Sequence, residues 1–445
     1  MKVSKFGGSI LKDSQDIKNI TKVIESDIKN NDYCIYIFSA FYGVTDKLFS
    51  LINDIGNFSK NKSLLQEVKL FHVNICKELD IDIEFLLKIF DEIQMKMEFF
   101  SSKLEVSPKN QAVIVSYGEV ISSLIIYKYT SKNLRVSYID SSDLIKTDSV
   151  YLSGNVDFKL TYSLIKNTIT KDNFYICAGF ISSNKSGEMT VLGRNGSDYS
   201  SAIFGEAVKA SKVYIWKDVS GVFTADPKVV RGAERIRNIS YREMSELCYF
   251  GAKVIHLNAL RPLLNSSIPI EIRSLYESSD HKGTIISGMH SAQSVIGIAS
   301  MPVTIISIAG IESYHKKSAF RNDIINRLSA NKIEVFGSFQ FSSVLSFTII
   351  TQQTHTAIIE KLLQDIVNPS LEVTFEQNSS IIAVIGENML KASGVMAKIF
   401  NALSSKNISV DSCVSGFNDI NICFSIPTGM RDEALNIIHD SVFSS

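Results

Sequence analysis

Within the six residues Gly193-Arg194-Asn195-Gly196-Ser197-Asp198 stand a guanidinium, flexible backbone and a carboxylate. Arg194 offers a planar fork for bidentate binding of a carboxylate, and Gly196 and Ser197 offer backbone donors. Two further segments suit phosphate: Lys5-Phe6-Gly7-Gly8-Ser9, and Trp216 to Lys228 with Lys217, Asp218, Gly221, Phe223 and Asp226-Pro227. Glycines let N–H groups approach phosphate oxygens, and a lysine at a strand end reaches charge that develops during transfer. The first is not a Walker loop, because G-x-x-x-x-G-K-[ST] is absent. Together the three segments point to a small-molecule kinase.

Each segment also has a plainer reading. Lys5 to Ser9 alone is a turn with a solvated lysine, and Asp218 to Pro227 an Asp-Gly-rich turn. Asp198 opens the apolar run Ala202, Ile203, Ala207 and so reads as an N-cap. Glu119 reads as a solvated residue or a cap; its placement gives it interest, as does that of Ser39, Gly43 and Thr45. All four follow apparent strands, where open sheets of this type bind ligands. Trp216 and Phe223 are core or groove walls, and Lys228 and Lys253 are phosphate candidates only in this company. The seven histidines include no paired metal-ligand motif.

The elements that must position these residues alternate. Strand-like runs at 33–39, 111–116, 135–139, 174–181, 212–215 and 268–273 are separated by helical patterns, which predicts a mostly parallel sheet with helices on both faces. Residues 60–105 keep helical spacing without a glycine and read as a helical insertion. At 445 residues, two or three domains are expected. Lys+Arg and Asp+Glu both number 46, so no global basic field draws nucleic acid or an anionic membrane. Six cysteines without a C-x-x-C pair predict reduced thiols in a cytoplasmic protein, and no basic-then-apolar leader or long uninterrupted apolar stretch is seen.

Past residue 300 an internal repeat emerges. Leu328-Ser329-Ala330-Asn331-Lys332-Ile333-Glu334-Val335 returns as Leu403-Ser404-Ser405-Lys406-Asn407-Ile408-Ser409-Val410, each a helix end turning into a strand. The first module reads strand, helix, strand, strand, helix, strand over 303–375; the second stops after its last helix. Its missing strand must come from the segment before the first module or from a second subunit.

In type and order these motifs resemble aspartate kinases (aspartokinases) of the amino-acid kinase family, particularly the lysine-sensitive monofunctional type: Lys5 to Ser9, Ser39 to Thr45, Ser116 to Glu119, Gly179-Phe180, Gly193 to Asp198, Trp216 to Lys228, and Phe250 to His256. The resemblance implies an αβα-sandwich catalytic domain with a mainly parallel sheet over 1–290, then two α+β ACT modules of βαββαβ type at 300–376 and 379–445, interleaved. It implies phosphorylation of the side-chain carboxylate of L-aspartate by ATP with Mg2+, the first step toward lysine, threonine, methionine and diaminopimelate. A carboxylate with pKa near about 3.9 is already ionised, so no general base is needed. By carry-over Lys5 neutralises the transferred group, Phe6, Gly7, Gly8 and Ser9 cradle it, and Asp198 organises the cations. Ser39, Thr45, Glu119, Arg194, Asn195, Gly196 and Ser197 hold aspartate, while Lys217, Asp218, Phe223, Lys228, Lys253 and Val254 line the nucleotide site. Magnesium rests on phosphates and waters. A homodimer or larger homo-oligomer, with a small-molecule effector at the ACT modules, is expected. A kinase of another carboxylate such as glutamate, and an idle amino-acid sensor, are the competing readings.

The chain also departs from the family pattern. Asn195 replaces a glycine, Val191 and Lys217 replace threonines, and Asn258 replaces a proline. Where lysine-sensitive relatives carry an aspartate for the effector's ammonium stands Phe336, with Tyr314, Lys317, Phe320 and Arg321 at the helix entry. A ring offers no counter-charge, and Lys317 and Arg321 repel a cation, so lysine inhibition is expected to be weak or absent and an acidic or neutral effector favoured.

Overall fold

Buried five-residue runs make the centre of the first sheet: β1 (Lys2–Phe6) and β2 (Cys34–Phe38) are almost wholly excluded from water. The computed structural model describes residues 1–443 apart from 57, 104–105, 278–282, 290–292, 310–313, 332, 342–345, 354–355, 365–371, 390–391 and 416–419. The further strands are β3 (Ser137–Ile139), β4 (Lys146–Thr147), β5 (Tyr175–Ala178), β6 (Ile181–Asn184), β7 (Met189–Val191), β8 (Val213–Lys217), β9 (Asn238–Ser240), β10 (Ile270–Ser274), β11 (Thr284–Ser287), β12 (Gly297–Ala309), β13 (Val335–Phe341), β14 (Ser346–Gln352), β15 (Glu372–Ile385), β16 (Ser412–Ser415) and β17 (Asn421–Pro427). The helices are α1 (Ser14–Lys29), α2 (Val44–Asn53), α3 (Phe58–Glu78), α4 (Glu84–Lys103), α5 (Pro108–Thr130), α6 (Ser141–Leu144), α7 (Phe158–Thr168), α8 (Gly196–Ala207), α9 (Tyr241–Tyr249), α10 (Leu257–Leu264), α11 (Tyr314–Ala330), α12 (Thr356–Gln364), α13 (Val395–Ser405) and α14 (Arg431–Phe443).

Two units separate. The first comprises 1–222, 235–241 and 253–289; the second comprises 223–234, 242–252 and 290–445. In the first unit an eight-stranded sheet runs β3-β5-β2-β1-β8-β10-β11-β9. It is parallel from β3 to β10, with one antiparallel step between β10 and β11. Phe6, Tyr36 and Phe38 face the apolar stripe Ile17, Ile20 and Ile24 of α1 in one continuous core. Alternation then turns Lys5 to the other face, the face on which α8 packs.

One expected strand is a helix. Residues 111–116 lie inside α5, which starts at Pro108 after the Ser107 cap, whose hydroxyl accepts from Asn110 N–H at 3.4 Å. The run Ala112-Val113-Ile114-Val115 looked like a strand because a deeply buried helix is apolar on most sides and loses its 3.6-residue signature. By length and composition α5 would serve to cross a membrane, but 61% of its most apolar window is buried inside the protein. It lies against α2, β5 and β7.

The second unit carries a six-stranded antiparallel sheet, β13-β14-β12-β15-β17-β16. Two long strands run through both modules. Val303–Ile308 of β12 pair with β14, and Gly297–Val303 pair with Ser379–Ile385 of β15, next to β17. The strand missing from the second module is therefore supplied from within the chain, by the segment that precedes the first. A shift in the β12–β15 register between Val303 and Ile305 marks the passage from one module to the other. Each module has its own core: Ile306, Ile324, Leu328 and Ile359 in the first, Ile399, Leu403, Phe424 and Ile438 in the second.

Candidate active site

The register of two neighbouring strands brings two ammonium groups to one place. β1 and β8 are parallel, with Lys5 opposite Ile215 and Phe6 opposite Trp216. Lys217, two residues beyond Ile215, points from the same face as Lys5. Both reach Asp198, in the first turn of α8. Lys5 Nζ lies 2.6 Å from Asp198 Oδ1 and Lys217 Nζ 3.4 Å from Oδ2, and the carboxylate side chain is only 2% exposed. Lys217 Nζ also donates to the carbonyl of Val254.

The start of α8 explains why Asp198 arrives there. Gly193 (φ 77°) and Asn195 (φ 55°) are left-handed, and Asn195 is the N-cap. Asn tolerates this conformation better than other non-glycine residues, so the loop keeps its shape without the family's glycine. The cap is Asn195 and not Asp198, which sits at the third helical position, where its charge also complements the helix dipole. Gly196 is sterically required: a Cβ there would stand 2.7 Å from the Phe180 ring.

Charge balance decides the protonation states. Burial opposes ionisation of Asp198, yet the ammonium groups of Lys217 and Lys5 hold its pKa at about 2. Lys5, 6% exposed, is shifted downward by burial and by Lys217, against the pull of Asp198 and Glu119. Glu119 is 4% exposed, and burial pushes it up to about 8, although the Ala40 N–H, its own N–H and Lys5 favour the ion. Its Oε2 has no hydrogen-bond partner among the described residues. At neutral pH one ionised carboxylate, Asp198, thus faces two lysines, with a largely protonated Glu119 beside it, an arrangement rich in cationic side chains that suits a polyphosphate.

Glu119 reaches the cluster from mid-α5, not from a helix start after a strand. The Ala40 N–H that meets it follows β2, a contact no local pattern in the sequence announces. Ser122, one turn along α5, donates its hydroxyl to the Ser39 carbonyl at 2.7 Å and ties that loop to the helix. Thr45, half-buried, lies in the first turn of α2 after left-handed Gly43. Gly7 donates to the Trp216 carbonyl at 3.2 Å, and a Cβ on Gly8 would lie 3.0 Å from the Ala40 carbonyl oxygen, so the Lys5-to-Ser9 turn is closely held.

Lys5, Glu119, Asp198, Lys217 and Val254 thus come together. Arg194 and Asn195 are exposed at the head of α8, while Gly196 and Ser197 are buried; the guanidinium has no salt-bridge partner among the described residues. Asp218 and Lys253 are also exposed in this unit. Phe223, half-buried, and Lys228, exposed, fold with the second unit. There Thr224 N–H bonds to the Glu234 carbonyl, and Ala225 and Val230 join the core under α13 and α14. His256 caps α10, its Nδ1 accepting from Asn258 N–H at 3.2 Å, a bond that a proline at 258 would lack. In the second unit Phe336 packs edge-on against Tyr249, ring centroids 5.4 Å apart, and Phe320 packs against the first module's core. The side chains of Tyr314 and Lys317 lie outside the described residues. All six cysteines are free, and four are buried.

A buried lysine–carboxylate–lysine cluster at the ends of parallel strands, followed by a two-module α+β sheet, defines an amino acid kinase with an ACT region. The chain belongs to the amino acid kinase family, whose model matches residues 1–274, and an ACT domain matches residues 382–442. Among curated relatives it is 26% identical to lysine-sensitive aspartokinase 3 of Escherichia coli, over 99% of both chains. It is 29% identical to the bifunctional aspartokinase/homoserine dehydrogenase of Buchnera aphidicola over 100% of this chain. That alignment covers 56% of the bifunctional protein, so the chain spans little more than half of that relative's length. The fold matches that of E. coli aspartokinase III solved in complex with aspartate and ADP, with a TM-score of 0.85 over 100% of both chains at 24% identity.

Proposed function

We propose that this chain is an aspartate kinase, transferring the γ-phosphoryl group of ATP to the side-chain carboxylate of L-aspartate to give 4-phospho-L-aspartate. The observation that carries the reading is the Lys5–Asp198–Lys217 cluster, with Glu119 beside it. The acceptor needs no base, so the work is to bring two anions together and to neutralise the group in flight. Lys5 faces the transferred phosphoryl group, and the Gly7 and Gly8 backbone wraps it. Glu119, with Ser39, Thr45 and the head of α8, takes the amino acid: its carboxyl loses a proton to meet the substrate ammonium, and Arg194 receives the α-carboxylate. Lys217, Asp218, Lys253 and Val254, with Phe223 and Lys228, serve the nucleotide. Magnesium would be held chiefly by phosphate oxygens and water and would screen the phosphates there, since no group of three or more His, Cys, Asp or Glu side chains among the described residues could hold it.

The domain division we favour is a catalytic domain over 1–290 followed by interleaved ACT modules over 300–376 and 379–445. The ACT modules act as the effector-sensing and dimer-forming region. Phe336, engaged with Tyr249, gives lysine's ammonium no counter-charge, so lysine inhibits weakly or not at all. ADP release is the test, with aspartate, with glutamate and without acceptor, each with and without lysine. Release that depends on aspartate supports the reading; release with glutamate alone, or with neither, refutes it.

A further inference from the structure

Asp198 serves two ammonium groups with one carboxylate, and the two bonds are unequal. Lys5 is held close, at 2.6 Å, while Lys217 stands at 3.4 Å and is anchored on its other side by the Val254 carbonyl. Both lysines are mostly buried, with side chains 7% and 16% exposed. An arriving phosphoryl group competes with Asp198 for Lys5. If Lys5 turned toward it alone, Asp198 would be left as a buried carboxylate without a partner, which is strongly unfavourable. We propose that Lys217 is a positioning residue for the transfer: it keeps Asp198 compensated while Lys5 engages the phosphoryl group, and it braces the Lys253-Val254 segment against the same carboxylate. This rests on the kinase reading above and gives Lys217 a role distinct from direct contact with the nucleotide.

The charged groups that face Lys5 are Asp198 from α8, Lys217 from β8 and Glu119 from α5. Burial is the largest influence against the Lys5 ammonium, and of these charged groups only Lys217 adds to it. Removing it is expected to shift Lys5 titration to higher pH, whereas a purely steric role would leave that titration in place. The brace also predicts a rate effect, since a displacement of about 1 Å in such a site costs about 10²-fold.

The experiment compares wild type with Lys217→Met and Lys217→Arg in the full chain. The Lys5 Nζ titration is followed by NMR of 15N-lysine-labelled protein, assigned with Lys5→Arg. Aspartate-dependent ADP release is measured across pH, and thermal unfolding shows that each variant is folded. We expect Lys217→Met to move the Lys5 titration upward, to carry the alkaline limb of kcat/KM in the same direction, and to lower kcat about 10²-fold; Lys217→Arg restores most of the rate. An unmoved Lys5 titration in a folded Lys217→Met protein overturns the proposal. So does a kcat that is unchanged while KM for ATP alone rises. A wild type without aspartate-dependent turnover refutes the kinase reading, and the NMR titration still decides the role of Lys217.

Discussion

At the residue scale, Glu119 is the group whose chemistry depends most on its surroundings. Burial holds its pKa up to about 8 against about 4.5 for an ordinary glutamate. The folded protein therefore binds a proton that the unfolded chain has released between those values, and this contribution to stability fades as pH rises through 8. Glu119→Gln should raise Tm relative to wild type at pH 8 and leave it nearly level at pH 4, as differential scanning calorimetry at the two pH values would show. In the proposed function the ionised form meets the substrate ammonium, so KM for aspartate should fall as pH rises from 6.5 to 8.5 in the wild type. A KM that rises over that range would remove Glu119 from the role. Asp198→Asn removes the carboxylate that buried Lys5 and half-buried Lys217 both reach and should cost about 3–5 kcal/mol, measured by urea unfolding.

The turn into α8 governs the site at the scale of elements. Asn195→Ala puts a Cβ-bearing residue without Asn's local hydrogen bonding at φ 55° and should cost about 1–2 kcal/mol, again read by urea unfolding. An undiminished stability would mean that the loop adopts another conformation. Elements whose residues repeat a pattern were legible in the sequence: β2, β5, β8 and β10 from their apolar runs, and the ACT repeat from two similar octapeptides. The α5 region was not, since burial on most sides erased its periodicity. Of the site, the Lys5 and Gly193-to-Asp198 segments could be read as candidates from residue type. The placing of Lys217 beside Lys5 at Asp198 could not, because it depends on strand register between segments more than two hundred residues apart. Nor could the strand missing from the end of the second module be assigned to one of its two possible sources without the pairing of Gly297–Val303 with β15.

For the whole molecule, connectivity matters more than any one contact. The segment carrying Phe223 and Lys228 belongs to the second unit, where Ala225 and Val230 share a core with Ile399, Leu403 and Ile438. Thr224 also meets buried His439 of α14 at 2.8 Å. Ile438→Ala, a large-to-small change at a fully buried site, should destabilise the second unit by about 2–5 kcal/mol. Urea unfolding would read the loss, and an undiminished stability would contradict the shared core of Ala225, Val230 and Ile438. The central claim is tested most directly by 31P NMR of the full chain with MgATP and L-aspartate labelled with 13C at its side-chain carboxyl carbon. The account predicts an acyl-phosphate resonance coupled to that carbon, forming at least about 10²-fold more slowly with Lys5→Met, the scale expected when one charge-stabilising group is lost. A phosphorus signal with no coupling to the labelled carbon, or an equal rate in Lys5→Met, would contradict it.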